Sequence, residues 1–297
     1  MKYNLLIISF LLLSILMLNT SCEDVIDVEL EPSTDALVVD GWIDDRMQEQ
    51  VITLHRSQTY FDNSNPVGIE DAVVLVNTED GRSLEFSHTT DGRYSWTPQR
   101  EDEIGNTGDA LSLEIIWNDQ IFMAQSVINR VPVIDSIGQE FREDELFGED
   151  GIYAQFYARD FQGLNDAYWI KTFKNGEYLA KTQELNIAYD AGFDAGTGID
   201  GLVFIPPIRE LVNQLDEDLL FLPYISGDHI RVEIHSMSVD AFNFMEIARD
   251  QINNGDNGIF SLPLANTRSN ILHSNGDIPV LGFFNVAAVS ESERFIR

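Results

Sequence analysis

Tight-turn dipeptides punctuate this chain, and the spaces between them suit strands better than helices. Asp80-Gly81, Asp91-Gly92, Asn118-Asp119 and Asn175-Gly176 each place residues tolerant of positive φ where a two-residue hairpin requires it. Around them lie short runs rich in β-branched and aromatic residues: Leu37 to Val39, Val51 to Leu54, Ala72 to Val76, Leu84 to Phe86, Arg93 to Trp96, Leu111 to Trp117 and Ile121 to Ala124. Such a series predicts a mainly β chain opening with an immunoglobulin-like or related β-sandwich over residues 36–130.

Val131-Pro132-Val133-Ile134-Asp135-Ser136 reads as a junction, because proline holds its neighbours extended and cannot donate to a central ladder. A second β-rich domain, sandwich or barrel-like, is expected over 131–297, with strands at Tyr153 to Ala158, Tyr168 to Phe173 and Glu177 to Ala180. Ile230, Val232 and Ile234 alternate with Arg231, Glu233 and His235, which predicts one buried and one solvated face. One or two short helices interrupt the strands. Ser238 is placed to cap a helix carrying Val239, Phe242, Met245 and Ile252 on one face, with Gly255 as its stop. Pro207 to Asp218 gives a weaker helical pattern behind a first-turn proline.

The N-terminus carries a different message. Lys2 precedes an apolar run from Leu5 to Leu18, shorter than the ~20 residues of a membrane-spanning helix and matching the core of a secretory signal over residues 1–21. Cys22, the one cysteine of the chain, excludes an internal disulfide and falls where cleavage is expected. Glu23 to Pro32 follows as part of an acidic tether spanning 22–35. Without Lys2 the chain holds 17 basic against 50 acidic residues. That balance excludes a nucleic-acid partner, which demands clustered Lys and Arg, and disfavours adhesion to anionic lipid. Acidic chains are often disordered, yet 44% hydrophobic and 10% aromatic content is ample for a packed core.

Several segments resemble known ones. Leu18-Asn19-Thr20-Ser21-Cys22 is similar to the lipobox of bacterial lipoproteins, in which the cysteine is acylated and becomes the mature N-terminus. The acidic residues after Cys22 resemble the signal for surface display in Bacteroidetes. Val38 to Ile43, Val51 to Ser57, Ala72 to Val76, Val131 to Ser136, Phe260 to Pro263 with Asn266, Ser269 to Ile271 and Leu281 to Phe284 together resemble a lipoprotein family known as domain of unknown function 4249. The resemblance implies a lipid-anchored outer-membrane protein working beside a TonB-dependent transporter, with no established catalytic residues.

Other candidate sites are weighed against plainer readings. Tyr60 and Phe61 sit in a hydrophilic loop and are the candidate aromatic contacts for a glycan, nutrient or partner, ahead of Trp42, Trp96, Trp117 and Trp169, which suit the core. Asp190, Asp194 and Asp200 place oxygens in a glycine-rich loop, a weak candidate for calcium that lacks the EF-hand spacing. His229, Glu233 and His235 include zinc-ligand types, but Arg231 among them opposes a cation. No nucleophile elbow, zincin helix, phosphate loop or dinucleotide fingerprint occurs. A surface binding or accessory protein without catalysis and without a required cofactor is the leading expectation. Glycan capture comes next, and a hydrolase with a motif-free site last.

Overall fold

The computed structural model describes residues 36–297 apart from 59–63, 102, 144–148, 193–199, 255–266 and 277. Its strands are β1 (Leu37–Asp44), β2 (Gln50–Arg56), β3 (Val73–Asn77), β4 (Ser83–Thr90), β5 (Arg93–Trp96), β6 (Ala110–Trp117), β7 (Gln120–Val127), β8 (Ile134–Arg142), β9 (Gly151–Ala158), β10 (Ala167–Lys174), β11 (Glu177–Tyr178), β12 (Asn186–Tyr189), β13 (His229–Met237), β14 (Leu272–His273), β15 (Val280–Ala287) and β16 (Val289–Phe295). Among the described residues one α-helix, α1, spans Val239–Asn254, and a single 3-10 turn spans Thr182–Glu184. Three of the four turn dipeptides act as their chemistry demands, while Asp80-Gly81 lies within the longer connection between β3 and β4. Asp91 and Gly92 (φ 47° and 74°) join β4 to β5, Asn118 and Asp119 (51° and 59°) join β6 to β7, and Asn175 and Gly176 (54° and 87°) join β10 to β11.

The first sheet runs β14–β7–β6–β3–β4–β5–β2–β1–β15. Its two halves share β4, whose Ser83 to Phe86 pairs with β3 and whose Ser87 to Thr90 pairs with β5. The sheet therefore folds over at β4 and nearly closes into a barrel, which is the form the expected sandwich takes. Closure comes from β15, which pairs in parallel with β1 and approaches β7 on its other side. There the Val286 N–H donates to Ser126 Oγ at 2.9 Å. Asn270 staples the same seam: its amide accepts from the Phe284 N–H at 2.9 Å and donates to the Phe284 carbonyl at 2.8 Å. The barrel interior is filled by Val39, Ile52, Leu54, Val74, Leu113, Phe122 and Phe284 among others, as alternating strands require.

The second sheet runs β11–β10–β13–β16, with β12 also paired to β10. Its inner face carries Tyr168, Ile170, Ile230, Val232 and Ile234, and the β8–β9 hairpin covers it with Ile137, Ala154 and Phe156. Pro132 lies in the extended link before β8, its carbonyl accepting from Ser290 Oγ at 2.6 Å.

Two helical expectations need correction. Pro207 to Asp218 forms a series of turns and no helix. The β9 edge draws this segment's polar groups to itself: Phe156 N–H donates to the Arg209 carbonyl, and the buried Asn213 side chain exchanges hydrogen bonds with both backbone groups of Ala154. The helix at Ser238 does form, with Ser238 Oγ accepting from the Ala241 N–H at 3.1 Å as an N-cap. Ala241, Phe242 and Met245 pack inward, but Ile252 is 64% exposed, because the helix runs past the surface it packs on. Gly255 lies outside the described residues.

Candidate functional site

The face of β13 predicted to be wet is half buried. Glu233 and His235 are only 1% and 4% exposed. Alternation reveals that a strand has two faces, but it does not reveal what covers the second. Register arranges the outer face of the second sheet as a grid of cross-strand rows. Trp169, His235 and Val289 form one row; Lys171, Glu233 and Glu291 the next; then Tyr178, Phe173, Arg231 and Glu293; finally His229 and Phe295.

The barrel covers the first two rows. β1 contributes Trp42, whose ring meets Trp169 edge-on at 5.6 Å and stacks on Phe283 at 5.8 Å. The turn after β1 contributes Arg46, oriented by Asp44: Asp44 Oδ1 accepts the Arg46 N–H at 3.1 Å, and its Oδ2 accepts from Nη2 at 2.8 Å. Gln48 and Gln50 donate to the same carboxylate. So held, Arg46 Nη1 lies 2.8 Å from Glu233 Oε1, which Arg231 also engages. His235 Nε2 lies 2.9 Å from Glu233 Oε2. Lys171 rests its ammonium 3.9 Å from the centre of the Trp169 ring.

Burial and pairing set the charges. Burial works against an ionised Glu233, but hydrogen bonds from His235 and Arg46 win and hold it at about 2. For Asp44 the Arg46 contacts likewise overcome burial and lower the carboxyl. Burial dominates at His235, pushed down to about 4, and at Lys171, pushed down to about 8. At neutral pH His235 is therefore an uncharged imidazole donating its Nε2–H to the Glu233 carboxylate. Both Glu233 oxygens are engaged and the pair is shut from solvent, so this His–carboxylate contact is a structural join with no room for a substrate or cation.

The last two rows stay open. Tyr178 and Phe173 rings lie 5.4 Å apart, the Arg231 guanidinium sits 4.0 Å over Phe173, and His229 packs against Phe295 at 4.6 Å while its Nε2 lies 3.2 Å from Glu293 Oε2. Tyr178 is 37% and Phe295 64% exposed. Burial raises the Tyr178 hydroxyl to about 12, so it remains a donor. In the sequence His229 reads as a candidate metal ligand and Arg231 as the charge that opposes it; only register shows that they share a surface with Phe173, Tyr178 and Phe295.

Cys22, Tyr60, Phe61 and Asp194 lie outside the described residues. Asp190 is buried and accepts from the Asp166 N–H at 3.2 Å, while Asp200 accepts from the Gly163 N–H at 3.0 Å, so each carboxylate ties its own segment to the β9–β10 connection. Among the described residues no group of three or more His, Cys, Asp or Glu is arranged to hold a metal. The tryptophans pack as core or against it: Trp117 is 7% exposed and donates to Asp71 Oδ1, Trp96 packs on the barrel core, and Trp42 and Trp169 on the cluster around α1.

A family model described as a domain of unknown function (DUF4249) matches residues 23–293. No curated protein matches the sequence.

Proposed function

This chain belongs to the DUF4249 family, and we propose that it is a lipid-anchored binding or accessory protein without catalysis. In this reading an acyl group on Cys22 holds it at the outer membrane, facing the cell exterior beside a TonB-dependent transporter. The observation that carries the reading is the position of the lone cysteine. Cys22 ends an apolar signal-like run, and the family-matched region opens at the next residue. Among the described residues no helix is long and apolar enough to cross a membrane, and the acidic surface is repelled by anionic lipid. The acyl chains then supply the membrane contact, each buried methylene contributing ~0.8 kcal/mol, with more than one chain needed for a stable hold.

Labelled palmitate should enter the native chain and not Cys22→Ala, and only the native chain should sediment with outer membranes. A Cys22→Ala protein that still sediments there refutes the tether. Protease treatment of intact cells should remove the folded body, and crosslinking in outer membranes should recover a transporter; protection from the protease, or crosslinks to the lipoprotein alone, counts against that part of the reading.

A further inference from the structure

We infer that the open rows of the second sheet, Tyr178, Phe173, Arg231, His229, Glu293 and Phe295, form a binding face for an uncharged oligosaccharide. The inference deepens the binding reading above and rests on it. Neighbouring strands lie ~4.8 Å apart, so the face from Tyr178 on β11 to Phe295 on β16 crosses three intervals, about 14 Å, and the two rows are about 7 Å apart. Aromatic rings stand at both ends, Tyr178 and Phe295, which suits the C–H face of a sugar ring, while Phe173 between them is covered by the Arg231 guanidinium. Between Tyr178 and Phe295 lie the Arg231 guanidinium, the His229 imidazole and the Glu293 carboxylate, donors and acceptors of the kind that fix ligand orientation.

Size and charge decide the occupant. The face holds six side chains on a grid of about 14 Å by 7 Å, far fewer than the roughly 20–30 residues a side of a standard protein interface. A second copy or a protein partner would find too little here. Arg231 is already paired with Glu233 and Glu291, and His229 Nε2 rests against the Glu293 carboxylate, so no net positive field draws an anionic ligand. The alternation of rings with charged groups disfavours a purely apolar one. A neutral chain of hydroxylated rings fits all three constraints.

The test is affinity electrophoresis of the detergent-solubilised mature chain through gels containing mannan, xylan, starch or a β-glucan, with polygalacturonate as the charged control. At least one neutral polysaccharide should retard the protein. The double variant Tyr178→Ala, Phe295→Ala should weaken that retardation about tenfold or more, in line with the loss of two exposed aromatic anchors, while its melting temperature stays near that of the parent. Phe295→Tyr, which keeps the ring, should retain binding and guards against a folding effect. Retardation by none of the neutral polymers, by polygalacturonate alone, or equally in the double variant overturns the inference. So does a self-associated species in sedimentation that Phe295→Ala dissolves. Palmitate labelling is indifferent to all of these results, so a failed tether and a failed sugar site are told apart.

Discussion

Arg46 and Glu233 meet at 2.8 Å, and through them the first turn of the barrel is fastened to the middle strand of a sheet formed late in the chain. The pair is deep enough for its loss to be costly. Removing one partner of a buried ion pair typically costs 3–5 kcal/mol, whereas replacing both by apolar residues is often near neutral.

Glu233→Ala should therefore lose about 3 kcal/mol in urea unfolding, since it removes the buried carboxylate from Arg46 and Arg231, which keep Asp44 and Glu291, and leaves the buried His235 Nε2–H without its acceptor. The double variant Arg46→Met, Glu233→Met should recover much of that. A loss below about 1 kcal/mol for Glu233→Ala would mean that the contact behaves like an exposed pair, and the seam would lose its proposed importance.

Acidification should weaken the fold in two separable windows. The folded His235 titrates at about 4 against an ordinary 6.5, so the unfolded chain takes up the proton first. Its contribution is fully present above pH 6.5 and is lost as pH falls through about 4; that amounts to on the order of 3 kcal/mol. Glu233, at about 2 against an ordinary 4.5, contributes above pH 4.5 and loses that as pH falls through about 2. Melting temperatures of native and His235→Gln proteins should diverge between pH 6.5 and 4.5, with the variant less sensitive to pH. Parallel curves across that window would contradict a buried neutral imidazole.

Asn270 substitutes for a missing strand at the open edge of β15. Asn270→Ala leaves the Phe284 N–H and carbonyl without that partner, at a cost of about 1–3 kcal/mol for an unsatisfied buried group. Amide exchange at Phe284 should accelerate in the variant more than at residues of β6. Unchanged protection would show that the barrel closes without the staple.

Two glycines should respond to very different degrees to the same change. Gly282 has φ 89°, and a Cβ there would lie 1.9 Å from the Val39 carbonyl oxygen, so Gly282→Ala should prevent close β1–β15 pairing and yield little folded protein. Gly176 has φ 87° with open space around it, so Gly176→Ala carries only the left-handed penalty, roughly 1–2 kcal/mol. Circular dichroism melts of the two variants should rank in that order, and equal melts would refute the steric argument.

The strands β1 to β7, β9 to β11 and β13, with the hairpin turns among them, were legible because their causes are local, whereas β12, β14 and β16 were not. Asn175-Gly176 announces a turn, and Leu111 to Trp117 announces a strand, whatever lies elsewhere in the chain. The β8 strand was hidden behind Pro132, whose extended link runs directly into it and reads as a connector. The seam was hidden for a different reason. Arg231-Val232-Glu233-Ile234-His235 has the alternation of a half-wet strand, and its polar side is dry only because Arg46 and Trp42 arrive from a distant strand. The candidate binding face was equally out of reach, since Tyr178, Arg231 and Phe295 become neighbours only through strand register. Of the site residues read from sequence, Asp190 and Asp200 prove to be loop ties.

The parallel pairing of β1 with β15 joins Leu37 to Val280 and Asp44 to Ala287. A chain emerging N-terminus first thus makes nearly the whole barrel before its closing strand exists. Until then the edge of β1 stands open, a template for mispairing with other chains. Such a molecule gains from being kept apart from its neighbours until synthesis is complete, and a truncation that removes only the last few dozen residues leaves a barrel with a permanent gap.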